Sequence, residues 1–189
     1  MIKIGILGGI GSGKSYVAKN FGYPVFNADL EVKKLYKNDR KTFNKLKKKL
    51  SNYIYSFPVN KDEITKAILA NKFNLKKIVK IVHLEIRRKM NIFLRTNKNK
   101  KIVILDIPLL LENKINSRKD VLIFIESKKK EIIKRLKKRK NFNQELFEKF
   151  KEIQLPLDYK RKKAQFIIKN NFTNKSVKKA IKDILREIV

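Results

Sequence analysis

Short, nearly continuous apolar runs punctuate the chain at Lys3–Leu7 (KIGIL), Lys101–Ile107 (KIVILDI) and Val121–Glu126 (VLIFIE). Strands covered on both faces of a parallel sheet read this way, whereas a strand with one wet face alternates. Weaker runs at Pro24–Asp29 (PVFNAD) and Gln165–Asn170 (QFIIKN) predict two further strands. Helical spacing separates these runs. The pattern therefore predicts an α/β fold with a parallel sheet flanked by helices.

The clearest helical stripe is the last, where Val177, Ala180, Ile181, Ile184, Leu185 and Ile188 recur at intervals of mostly three or four, with Ser176 as the expected cap. Between residues 30 and 99 the periodicity is helical throughout, including Val79, Val82, Ile86 and Met90. That span is too long for a simple crossover and predicts a helical insertion suited to binding an acceptor. Residues 128–163 predict a highly charged, mobile two-helix flap, broken near Asn141 to Asn143. The expected partition is a core of 1–29, 100–127 and 164–189, a helical lobe of 30–99 and a lid of 128–163, all in one compact domain.

Composition changes this picture little. The formal net charge is +32 in 189 residues, yet 42% of residues are hydrophobic, so the chain is expected to fold around a substantial core. Lysine is spread over almost every segment, without the Arg and aromatic clustering of a dedicated recognition element, so no specific nucleic-acid partner is expected. The positive field nevertheless favours polyanionic small substrates. Cysteine is absent, which excludes disulfides, thiolate zinc sites and a thiol nucleophile. The longest apolar stretch, IVILDIPLLL, is interrupted by Asp106 and Pro108, so no membrane association is expected. The N-terminal run passes directly into Gly-Lys-Ser without a cleavage pattern, and the protein is expected to be cytoplasmic.

The strongest chemical signal is Leu7–Ser15, LGGIGSGKS. Its Gly8-x-x-x-x-Gly13-Lys14-Ser15 pattern follows a strand and precedes YVAKNF, which continues as helix, the context a phosphate-binding P-loop requires. Gly8, Gly9, Ile10, Gly11, Ser12, Gly13, Lys14, Ser15 and Tyr16 are the candidate nucleotide-binding residues. Lys14 would reach the β- and γ-phosphates and the Ser15 hydroxyl would coordinate Mg²⁺. Asp29 follows a strand end and suits either a general base or the N-cap of a helix beginning at Leu30. Asp106 suits either a Walker-B-type carboxylate or a turn residue before Pro108. Arg135 and Arg139, four apart, share a helical face and would either neutralise a transferring phosphoryl group or face water. The solitary His83 reads as a packing or capping residue.

Taken together, GILGGIGSGKSYVAKNF, NAD (Asn27–Asp29), VHLEI around His83, DIPLLLEN (Asp106–Asn113), RLKKR (Arg135–Arg139), Gln154 and AQFIIKNN (Ala164–Asn171) resemble the dephospho-coenzyme A kinase family over nearly the whole chain. The resemblance implies a P-loop kinase with a core, an acceptor lobe and a lid, transferring the ATP γ-phosphoryl group to the 3′-hydroxyl of dephospho-coenzyme A. It implies ATP and Mg²⁺, a catalytic set of Asp29, Lys14, Arg135 and Arg139, and Asn170 near the adenine. It implies an acceptor side formed by Asp29, His83, Pro108, Leu109, Leu110 and Glu112, in a monomer or weak homo-oligomer. Departures from the family pattern are Asn27 for the first Asp of DAD, Leu84 after His83, Lys61 and Lys149 for arginines, and Gln165 for an Asp. Lysine keeps the charge but loses the bidentate fork. The alternatives are another P-loop small-molecule or nucleotide kinase, or a basic nucleic-acid-binding ATPase.

Overall fold

The computed structural model describes residues 1–139 and 142–189. The chain divides into two compact units, one of Met1–Asn27, Leu94–Phe142 and Gln154–Val189, the other of Ala28–Phe93 and Asn143–Ile153. The span expected as a lid is thus shared between both units.

The first unit holds β1 (Ile2–Gly8), α1 (Lys14–Asn20), β2 (Val25–Asn27), β3 (Ile102–Asp106), β4 (Val121–Glu126), β5 (Phe166–Lys169) and α9 (Asn174–Ile188). The strands form a parallel sheet in the order β2-β3-β1-β4-β5. All five apolar runs therefore become strands, and β1 lies at the centre because its run is covered on both faces. Ile4 and Ile6 point to one face, where they join Ile104, Ile123 and Ile168 in a core closed by Val17 of α1, by Phe21 just after it, and by Val177, Ile181 and Ile184 of α9. Gly5 points to the other. There a β-carbon would come within 2.6 Å of Leu110 and 2.9 Å of Leu122, so the missing side chain makes room for the turn after β3.

Helix boundaries depart from the sequence reading where local hydrogen bonding competes with the apolar stripe. Ser176 does not cap α9: the helix starts two residues earlier, and the Ser176 hydroxyl donates to Asn171 Oδ1, which also accepts the Thr173 N–H at 3.1 Å. Among the described residues the charged span holds three helices rather than two, namely α6 (Lys129–Lys137), α7 (Gln144–Glu152) and α8 (Leu157–Lys163). Pro156 separates the last pair, because proline disfavours helical geometry in the residue before it. Of the expected break at 141–143, residue 141 lies outside the described residues, and Asn143 caps α7 by accepting the Leu146 N–H at 2.8 Å. α6 closes on an Arg139 N–H to Leu136 carbonyl bond of 3.0 Å, so Arg139 lies beyond the helix and does not continue the α-helical face of Arg135.

The second unit is helical, as the spacing predicts, with α2 (Ala28–Asn38), α3 (Arg40–Lys49), α4 (Lys61–Ala70), most of α5 (Lys72–Thr96) and α7. Leu75, Ile78, Val82, Ile86 and Met90 form the buried stripe of α5. Asp39 and Asn60 cap α3 and α4 through their side chains. Buried Glu63 fixes the chain before α4 by accepting the Tyr55 and Ser56 N–H groups and the Ser56 hydroxyl.

Ile6 is fully buried in the central strand. Ile6→Ala is expected to lower unfolding stability by about 2–5 kcal/mol in chemical denaturation, through lost apolar contact and the cavity left behind; an unchanged midpoint would contradict this packing.

Candidate phosphate-binding site

The chain leaves the sheet at Gly8 and enters α1 at Lys14 through a loop that two glycines make possible. Gly8 has φ 145°, and a β-carbon there would lie 2.8 Å from Ser12 Oγ and 2.9 Å from the Ile125 carbonyl. Gly13 has φ 89°, with the Asn170 amide against the position a β-carbon would take. An L side chain at either place meets both strain and collision.

The loop is fastened from the neighbouring strand ends. The Ser12 carbonyl accepts the Ser127 hydroxyl at 3.0 Å and Asn170 Nδ2 at 2.8 Å, while Asn170 Oδ1 accepts the Phe172 N–H at 2.9 Å. Both ends of the buried Asn170 side chain are thus committed within the protein. Asn170 thereby ties the loop to the chain beyond β5. Lys14 Nζ donates to the Gly8 and Gly9 carbonyls at 3.0 and 2.8 Å, holding an ammonium charge at the loop. Ser15 and Ile10 are half-buried and Tyr16 is exposed. α6 lies against Gly11 through Ile132 and Leu136, and α8 lies against Gly9 through Leu157.

Asp106 closes β3, where it is buried, and its Oδ2 accepts a hydrogen bond from Asn27 Nδ2 in the paired position of β2. It is a strand-end carboxylate, so the turn-residue alternative falls away. The following turn sends Leu110 inward against Gly5. Leu110 is 1% exposed, so its side chain packs in the core. Pro108 and Leu109 stay in the turn, Pro108 half-buried and the Leu109 carbonyl accepting Asn113 Nδ2 at 2.8 Å. Glu112 is turned inward too: Oε1 lies 2.5 Å from Lys160 Nζ and accepts the Leu155 N–H at 3.0 Å.

Arg135 is exposed on α6 with its guanidinium 4.3 Å from the centre of the Phe172 ring, and Arg139 is also exposed. Asp29 and His83 belong to the second unit. Asp29 is exposed within the first turn of α2, which begins at Ala28, so it is not the N-cap of a helix starting at Leu30. His83 is half-buried on α5; burial, then the Arg87 charge one turn on, push its imidazole below the ordinary value and keep it neutral at pH 7.

Lys160, Ser127 and Phe172 escaped the sequence reading. Lys160 sits in the run KRKK, where nothing distinguishes a buried lysine from solvated ones, and Ser127 carries no motif. Phe172, an aromatic two residues beyond Asn170, was the one available signal. Among the described residues no cluster of three His, Cys, Asp or Glu side chains could hold a metal ion, and no helix is long and apolar enough to cross a membrane.

The chain matches the family described as dephospho-CoA kinase over residues 2–176. It is 34% identical to a dephospho-CoA kinase of Wolbachia sp. subsp. Brugia malayi over 187 residues, covering 96% of this chain and 95% of that one. A dephospho-CoA kinase of Bacillus anthracis is 29% identical over 195 residues, covering 98% and 96%. Among solved structures, one from Thermus thermophilus superposes with TM-score 0.77 at 26% identity, covering 100% of this chain and 98% of that one. Dephospho-CoA kinase from Campylobacter jejuni superposes with TM-score 0.62 at 22% identity, covering 98% and 96%, and shares the fold.

Gly13→Ala is expected to lower stability by about 1–3 kcal/mol, because the new methyl group strains φ and displaces Asn170 from Ser12. Thermal or chemical unfolding checks this, and a wild-type midpoint would contradict the loop packing.

Proposed function

The chain belongs to the dephospho-CoA kinase family, whose reaction is the ATP-dependent phosphorylation of dephospho-CoA in coenzyme A biosynthesis, and from that premise we propose how its residues share the work. The γ-phosphoryl group of ATP passes to the 3′-hydroxyl of the acceptor ribose. The observation that carries this reading is the loop of residues 8–15, cut to fit by glycines and bearing the Lys14 ammonium at its carbonyls. Gly8 to Tyr16 bind the triphosphate, and Lys14 moves from the Gly8 and Gly9 carbonyls to the β- and γ-phosphates. That exchange is favourable because an anionic oxygen is a stronger acceptor than a carbonyl.

Asp29 takes the proton of the attacking hydroxyl. Its place in the first turn of α2, two residues beyond the end of β2, supports this, since ligands gather at the carboxyl ends of strands in open parallel sheets. Arg139 places positive charge beside the transferring group, and Arg135, braced on Phe172, serves the nucleotide side. His83, Pro108 and Leu109 contribute to acceptor binding. Residues 30–99 act as the acceptor lobe and 128–163 as the lid.

Mg²⁺ fits the donors present, the Ser15 hydroxyl and the strand-end Asp106 carboxylate. This ion keeps several waters, binds phosphate oxygens and needs few protein ligands. When bound it neutralises phosphate charge. The Asn27 amide suits Asp106 to that neighbourhood, since it donates where a second carboxylate would repel. A cytoplasmic monomer or weak homo-oligomer without a nucleic-acid partner belongs to the same reading.

The direct test is ADP release with Mg²⁺-ATP, with and without dephospho-CoA, and with coenzyme A identified by mass. Acceptor-dependent coenzyme A formation is expected, and Lys14→Ala should nearly abolish it. ADP release that ignores the acceptor, or that follows a nucleoside monophosphate instead, would contradict the proposal.

Asp29→Asn is expected to lower kcat by about 10²–10⁴-fold with little change in ATP KM, the mark of a lost proton acceptor. An unchanged kcat would remove Asp29 from the chemistry.

A further inference from the structure

We propose that Glu112 and Lys160 are positioning residues for the phosphate-binding loop, acting through Leu157; this rests on the kinase reading above. Lys160 is 1% exposed, the lowest value of any charged residue among the described residues. Its partner Glu112 is nearly as enclosed, with 9% of its side chain accessible. One carboxylate oxygen does all the bonding, to Lys160 Nζ and to the Leu155 N–H, while the buried Oε2 has no hydrogen-bond partner.

Two desolvated ions with an unsatisfied oxygen are a poor source of stability, because apolar side chains of similar size hold a fold as well or better. A directional tie is what such a pair supplies. Here it fixes the chain from Leu155 to Lys160. That segment begins just after the chain returns to the first unit at Gln154 and includes the first turn of α8, which packs on β1 and β4.

Leu157, inside the tied segment, is where the tie reaches the site. Its two terminal methyl groups lie 3.5 Å from the position a β-carbon on Gly9 would occupy, yet the residue is 47% exposed. A leucine so placed contributes little to the core. It braces one wall of the loop whose next residues carry the phosphate contacts. Releasing the pair lets α8 shift, Gly9 loses its brace, and the loop binds phosphate with less preorganisation.

The test measures the Kd for Mg²⁺-ADP by calorimetry beside Tm, for wild type, for Glu112→Gln/Lys160→Met and for Leu157→Ala. The double variant removes both charges and keeps an acceptor for the Leu155 N–H, and Leu157→Ala removes the brace while sparing the core. Both are expected to weaken ADP binding about tenfold, with Tm near wild type. Wild-type ADP affinity in either folded variant overturns the proposal, as does an affinity loss in Leu157→Ala matched by a fall in Tm. If the double variant fails to fold, Leu157→Ala decides alone. Wild-type protein that binds no ADP contradicts the kinase reading instead.

Discussion

Everything at the site depends on the absence of β-carbons along the loop between β1 and α1. Three elements press on that loop from different directions: Ile125 of β4 at Gly8, Ile132 and Leu136 of α6 at Gly11, and Asn170 beyond β5 at Gly13. A parallel sheet makes this convergence possible, because strands running the same way deliver their carboxyl ends to one edge, where ligands bind in open α/β sheets. Gly8, Asp106, Glu126 and Lys169 are the last residues of their strands, and the loop, Asn27 and Asn170 gather beside them. The core under α1 and α9 then serves mainly to hold β1 at the centre.

The interior shows how so basic a chain handles its few carboxylates. Among the described residues each buried carboxylate has a partner close by, Asp106 the Asn27 amide, Glu63 Ser56 and two backbone N–H groups, and Asp120 Lys3 at 3.0 Å, while the largely enclosed Glu112 meets Lys160 through one oxygen. Two departures from the family pattern gain a physical meaning in this light. Asn27 gives Asp106 a donor in place of a like charge. Gln165 accepts the Leu122 N–H at 2.7 Å while its own N–H bonds the Leu122 carbonyl at 2.9 Å, so it extends the pairing of β5 with β4.

The strands were legible because burial on both faces writes continuous apolar runs, and the α5 and α9 stripes because one buried face repeats at helical spacing. Helix ends were less so. Ser176 has the chemistry of a cap, yet its hydroxyl bonds Asn171 five residues earlier, a competing partner that the apolar stripe does not reveal. The glycine loop was readable since its residues act through the backbone and lie together in sequence. Glu112, Leu110 and Asn170 were found as motif positions but not as inward-facing groups, because a motif does not say which way a turn points its side chains. Lys160 was invisible for the opposite reason: in a chain with 49 lysines and arginines, its burial is decided only by a carboxylate 48 residues earlier.

Amide hydrogen exchange, with and without Mg²⁺-ADP, probes the central claim that residues 8–15 form the phosphate site. Bound nucleotide is predicted to protect the amides of Gly9 to Ser15 most strongly, with smaller protection at Ser127 and Asn170, which hold the Ser12 carbonyl. Protection concentrated elsewhere, with these amides unchanged, would contradict the account.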